Sequence, residues 1–238
     1  MPTSSPQPPA PARTRGPRRD AAENRAALIQ AAATLLNRDP SASLEAIAAE
    51  AGLSRRSVYG HFATRDALLG ELAASGAARV NAAMLSVAAT LESPDPAVQL
   101  AAVGARLWQE VDPIRVMALH TLRGPQSRVA GGALEPLRSH VRAIVERGVA
   151  SGRFRSDVEP ARLSRLIESA AISVLDEANR HDLPSDEGRR LVVLSVLGLA
   201  GFGHADAAAL LDDLTTADAA NTAITSDTAH HTPTEASR

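Results

Sequence analysis

From Asp20 to Ala209 apolar side chains return every third or fourth position, the period of a helix with one buried face, and no stretch alternates as a strand would. Asp20 with Glu23 three residues on has capping-box spacing and opens a first helix, whose Leu28, Ile29, Ala32, Leu35 and Leu36 share a face. Pro40 ends it, because the residue before a proline avoids helical backbone. Ser43 is placed to cap a short second helix, Leu44 to Ala51, with Leu44, Ile47 and Ala48 inward, and Gly52 closes it. Ser54 caps a third helix that runs to His61, and Thr64 caps a fourth. The fourth keeps Leu68, Leu69, Leu72, Val80, Met84, Val87 and Leu91 in its apolar series until "SPDP" breaks it, a rod of roughly 40 Å. Further helices are expected over Ala97–Glu110, Ile114–Leu122, Leu134–Ser151, Ala161–Arg180 and Asp186–Ala209. The pattern predicts an all-α protein of about nine helices.

Composition narrows this further. Hydrophobic residues make up 45% of the 238 positions but aromatics only 2%, so the core must be built from Ala, Leu and Val. With no cysteine there is no disulfide, thiolate metal site or cysteine nucleophile. No His, Asp and Glu grouping has metal-ligand spacing, no glycine-rich phosphate loop or nucleophile elbow is present, and neither an enzyme nor a cofactor or metal is expected. The amino terminus lacks the apolar segment of a signal peptide, and no run approaches the roughly 18 to 20 apolar residues of a membrane span. A cytoplasmic protein with no membrane partner is the expectation. All 25 basic side chains are arginine, and they are uneven: residues 1–66 carry a net charge of +3, residues 67–238 one of −5. A small basic head on an acidic body suggests that the head alone meets a polyanion.

The segment "AGLSRRSVYGHFATRDALL", Ala51 to Leu69, says how. Ala48 allows two helices to approach, Gly52 supplies the turn, and Val58 points back into the shared core, which is the spacing of a helix-turn-helix. With Leu53 and Phe62 also inward, Arg55, Arg56, Ser57 and Tyr59 occupy the opposite face of the third helix. Such a helix fits the major groove, where guanine offers two acceptors to a guanidinium. The same segment resembles the recognition segment of TetR-type (tetracycline-repressor-type) transcriptional regulators, most of all in its Tyr-x-His-Phe, and the match is dense from Asp20 to Leu72. The resemblance implies that Arg55, Arg56, Ser57 and Tyr59 face base edges and nearby phosphates. It implies that His61 and Arg65 hold the backbone and that Ser43 does so from the start of the second helix; Ser54 and Thr64 complete the DNA-binding set. Gly60 and Glu45 depart from the pattern, the first by losing a side chain near DNA, the second by bringing a negative charge to it.

Beyond the head the reading is coarser. The expected organisation is an unordered tail at 1–19, a DNA-binding domain at 20–66, an effector-binding and dimerisation domain at 67–211, and a second tail at 212–238. Arg13, Arg15, Arg18 and Arg19 in the first tail are either idle or a minor-groove arm. Trp108, Met117, His120, Arg123 and His140, bulky or polar within largely apolar helices, are candidate liners of a pocket for an unknown small-molecule effector. Ile167, Ala170, Ala171 and Val174 on one helix, and Val193, Val196, Leu197 and Ala200 on the next, are expected to form a four-helix dimer interface with a second copy. The function so implied is a homodimeric repressor that binds a double-stranded, pseudo-palindromic operator and is released by a ligand. A ligand-independent regulator, or an activator with the same head, is the alternative.

Overall fold

The computed structural model describes residues 17–90 and 93–229, with side chains over 20–87 and 93–216. Leu91, the tail to Gly16 and the side chains of Arg18 and Arg19 lie outside what is described. The described residues form no strand but eleven helices: α1 Pro17–Arg38, α2 Leu44–Glu50, α3 Arg55–His61, α4 Arg65–Thr90, α5 Pro96–Val111, α6 Arg115–Arg123, α7 Ser127–Ala133, α8 Glu135–Ala150, α9 Pro160–His181, α10 Ser185–Ala200 and α11 His204–Ala229. A single 3-10 turn, Asp112–Ile114, joins α5 to α6.

Capping carries much of this order. The Ser43 hydroxyl accepts from the Ala46 N–H at 3.2 Å and the Ser54 hydroxyl from the Ser57 N–H at 3.1 Å, which starts α2 and α3 where the sequence places them. Gly52, at φ +68°, makes the turn between them. The differences from expectation also have local causes. α1 begins at Pro17, one turn ahead of Asp20, with proline at the first helical position where its missing N–H costs nothing. α7 grows out of "SRVAGGA", which glycines disguise as a loop; it is held to α4 by the Asn81 amide donating to the Ala133 carbonyl at 2.8 Å. The expected last helix is two. Gly201 turns left-handed at φ +107° and the Phe202 N–H reaches back to the Leu197 carbonyl at 3.1 Å, closing α10. α11 then runs through positions 212–229, expected as tail, and buries Leu211 and Leu214 against the body.

The apolar side chains gather in two clusters. The head cluster joins Leu28, Ala32 and Leu36 of α1 to Ile47, Val58 and Phe62, and extends past residue 66 to Leu68, Leu69 and Leu72 of α4 and Met117 of α6. The body cluster is built on α5, α8, α9 and α10 and takes in Ala83 and Met84 from the far half of α4. One helix, α4, therefore threads both cores, and α6 plugs its first turns into the head.

Candidate nucleic-acid interface and ligand cavity

In the head, α3 buries Val58 completely and turns Arg55, Arg56 and Tyr59 to solvent, the Arg55 side chain 75% exposed and Tyr59 43%. Arg55 stacks its guanidinium over the Tyr59 ring at 5.7 Å. Glu45 ties the two together, accepting the Tyr59 hydroxyl at 2.8 Å and pairing with Arg55 at 3.3 Å. Its carboxyl is held below the usual carboxylate range by a hydrogen bond to its own backbone and by the Tyr59 hydroxyl. The negative charge of Glu45 is thus already engaged with one cation, Arg55, and with the Tyr59 hydroxyl.

Other members of the expected DNA set fall into two groups. Ser43, Ser54 and Thr64 are helix caps, with the Thr64 hydroxyl accepting from the Ala67 N–H at 3.1 Å; all three remain exposed beside open helix N-termini. Arg65 is different. Its guanidinium turns inward, Nε donating to the Ala42 carbonyl at 2.9 Å and Nη2 to that of Pro40, and so braces the turn before α2. In the unbound geometry two of the five N–H donors of Arg65 are turned inward on these carbonyls, so a phosphate contact falls to its remaining donors or to a rearranged side chain. His61 is half-buried, and its carbonyl accepts from Arg25 at 3.0 Å. Arg25 was not singled out in the sequence, yet it also pairs with Glu71 and lies over the Phe62 ring at 4.4 Å, locking α1, α3 and α4 together.

Between α4, α5, α6, α8, α9 and α10 lies a cavity of about 390 Å³. Its wall is almost wholly apolar, Leu72, Val80, Leu100, Val103, Leu107, Val192 and Val196 among its residues. Of the five expected liners Trp108 and Met117 are there; His120, Arg123 and His140 are not. His120 is exposed, Arg123 pairs outward with Asp176 at 2.9 Å, and His140 stands half-buried elsewhere on α8, its pKa lowered by burial and by the Arg147 charge. The charged residues that do line the cavity are Arg138, Arg142, Arg165 and Glu168, all on α8 and α9. Arg138 donates to Glu168 from Nε at 2.8 Å and Nη2 at 2.6 Å. The criterion that selected His140, a polar residue in an apolar helix, applied equally to Arg138 two positions earlier.

Cavity and head share a joint. Met117 lines the cavity and is also buried in the head cluster. Beside it the Asn37 side chain, at the end of α1, donates to the Pro113 carbonyl at 3.0 Å and accepts the Met117 N–H at 3.3 Å.

Residues 28–72 match the family model described as bacterial regulatory proteins, tetR family. The head is a TetR-type DNA-binding domain. Over about three quarters of its length the chain has the fold of TetR-type regulators: it superposes on LfrR from Mycobacterium smegmatis in complex with proflavine with a TM-score of 0.59 at 20% identity, covering 76% of this chain and 96% of that one. It superposes on FadR from Bacillus subtilis in complex with stearoyl-CoA with a TM-score of 0.63 at 18% identity, over 75% and 99% of the two chains. RolR in complex with resorcinol gives 0.57 at 20% identity over 81% and 95%. No curated protein sequence matches the chain.

In this TetR-type body the expected dimer stripes need correction. Ile167, Ala171 and Val196 line the cavity, and Val193, Leu197 and Ala200 are fully or almost fully buried inside the single chain. The reason is that α10 is apolar on two sides and its β-branched side packs on α5, where Val193 and Val196 close over Gly104. The face left outside carries Leu166, 44% exposed, and a shallow groove of Ala170, Ser173, Val174, Leu191, Ser195, Gly198 and Leu199. Only Ala170 and Val174 of the expected set border it. Among the described residues no helix is long and apolar enough to cross a membrane, and no group of three or more His, Cys, Asp and Glu could hold a metal ion.

Proposed function

We propose that the protein is a homodimeric transcriptional repressor that leaves its operator when a small molecule fills the cavity between α4 and α10. The head supplies the DNA contacts: Arg55, Arg56, Ser57 and Tyr59 read base edges and nearby phosphates from α3, with His61 beside them, while Ser43, Ser54 and Thr64 meet the backbone at helix starts, where N–H groups favour anions. Two-fold pairing through the outer face of α9 and α10, Leu166 to Leu199, sets two such heads side by side. Half-sites about 34 to 36 Å apart follow from that symmetry.

The observation that carries ligand release is the shared residue. Met117 is at once cavity wall and head core, and Asn37 fastens the head to the same turn of α6. An occupant that pushes Met117 must move the head or break its packing. A coupling of roughly 1 to 3 kcal/mol corresponds to a 5- to 150-fold change in operator affinity. That structures of this fold hold ligands as unlike as proflavine, resorcinol and stearoyl-CoA supports a cavity-bound effector without fixing its class.

Selection of bound duplexes from random DNA, followed by compound titration of the complex, tests the whole reading. A symmetric site and at least one compound that releases it are expected. An asymmetric site would overturn the dimer, and a complex that no cavity-binding compound weakens would leave a ligand-independent regulator.

A further inference from the structure

Resting on that reading of the cavity as the effector site, we propose that the effector is an apolar molecule with a single anionic head, seated where Arg142 and Arg165 line the cavity. The selection follows from which polar groups are still free. Thr121 and Ser164 line the cavity, but their hydroxyls donate to the Met117 sulfur at 3.2 Å and the Pro160 carbonyl at 2.9 Å. Glu168, the one carboxylate of the lining, already accepts two bonds from Arg138. Arg138 has its charge paired with Glu168 and each of its three nitrogens bonded, donating also to the Gly131 carbonyl.

What is left are donors. Arg165 is exposed and forms no close ion pair among the described residues, only a longer-range attraction to Glu159, which is itself engaged as the cap of α9. Arg142 has only Glu135 at 3.5 Å, an exposed contact that a better-placed anion would replace. The Trp108 N–H, in the apolar wall, is buried without an acceptor. An ammonium head would meet two arginines and no free carboxylate. A neutral molecule would leave both guanidiniums unused. An anion on Arg142 and Arg165 keeps its charge at the α8–α9 side, while its apolar body takes the surface of Leu100, Val103, Leu107 and Val192 out of water.

Trp108 is the only tryptophan of the chain and lines the cavity, so its emission reports occupancy directly. The probes are decanoate and 2-naphthoate, their methyl esters, and the primary amines with the same apolar bodies, titrated below micelle-forming concentrations and checked by calorimetry. At least one carboxylate is expected to bind ten-fold or more tightly than its ester and amine, and that preference is expected to fall below three-fold in R142Q/R165Q, with helicity unchanged. Equal binding of acid and ester, tightest binding of an amine, an unchanged preference in the double variant, or no binding by any probe would overturn the assignment. Operator release is read separately. If acid, ester and amine all displace the operator alike, ligand release stands and anion selection falls. If the acid binds through the two arginines yet the operator complex persists, anion selection stands and ligand release falls.

Discussion

Replacing Asn37 by alanine tests the link between cavity and head most directly. The side chain makes two hydrogen bonds across the joint, to the Pro113 carbonyl at 3.0 Å and from the Met117 N–H at 3.3 Å, and it is partly buried. A hydrogen bond of this kind contributes about 0.5 to 1.5 kcal/mol net, so the pair is worth roughly 1 to 3 kcal/mol. For a chain of this size that lowers the melting temperature by roughly 2 to 12 °C. The same range spans a typical allosteric coupling, so loss of the joint removes most of it. Compounds that release the wild-type operator complex should bind Asn37→Ala with unchanged affinity, because the residue does not line the cavity. They should release its operator no more than about five-fold. Thermal melts, cavity binding by Trp108 emission and operator binding by anisotropy read the three quantities separately. A variant that melts lower but is released as fully as the wild type would reduce Asn37 to a structural clamp and refute its part in the coupling, leaving Met117 alone to carry the route through α6.

Four further outcomes are expected. Glu45→Gln removes a negative charge and the Arg55 ion pair from the recognition face while its amide oxygen still accepts the Tyr59 hydroxyl, so it should tighten operator binding roughly two- to five-fold per head, a gain that shrinks in an Arg55→Ala background when anisotropy is measured at physiological salt. Gly60→Ala places its Cβ in open space within α3 and should stabilise the head by about 0.5 to 1 kcal/mol in denaturant unfolding. Leu166→Arg with Ala170→Arg charges the outer face of α9 and should yield a folded monomer in analytical ultracentrifugation; a persistent dimer would place the interface elsewhere. At Gly188 an added Cβ would lie 1.9 Å from the Trp108 ring, so Gly188→Ala must displace the indole, costing about 1 to 3 kcal/mol and shifting tryptophan emission.

How much of this was legible in the chain depends on whether the signal was local. α2 and α3 begin at Ser43 and Ser54 because the cap is a hydrogen bond to a backbone N–H three residues away, and sequence spacing states that geometry outright. The recognition face is legible for the same reason: Val58 inward, with Leu53 and Phe62 packing just outside the two ends of the seven-residue helix, leaves Arg55, Arg56 and Tyr59 to solvent. α7 was missed because "SRVAGGA" is a weak helix by propensity and exists through its contacts with α4. The sequence places the end of the head at residue 66, after the helix-turn-helix, whereas the head cluster continues through Leu72 and takes in Met117, forty-five positions further on.

A side chain's surroundings are hidden from the sequence where the deciding partner is distant along the chain. Arg65 and Arg55 look alike in a string, both arginines beside a helix start. One finds the carbonyls of Pro40 and Ala42 within reach and becomes a brace; the other finds Glu45 and the Tyr59 ring, both on the open surface. The same logic separates the two faces of α10. Its leucines and valines are equally apolar, and periodicity identifies two stripes without saying which one α5 will cover. Val193 and Val196 went inward because Gly104 on α5 leaves room for their branched carbons, a fit that no pattern within α10 encodes. Where a side chain's role is set by its own helix the sequence states it, and where it is set by a facing helix only the packed structure does. The joint between cavity and head belongs wholly to the second kind, since Met117 and Asn37 meet only after α6 docks on α1.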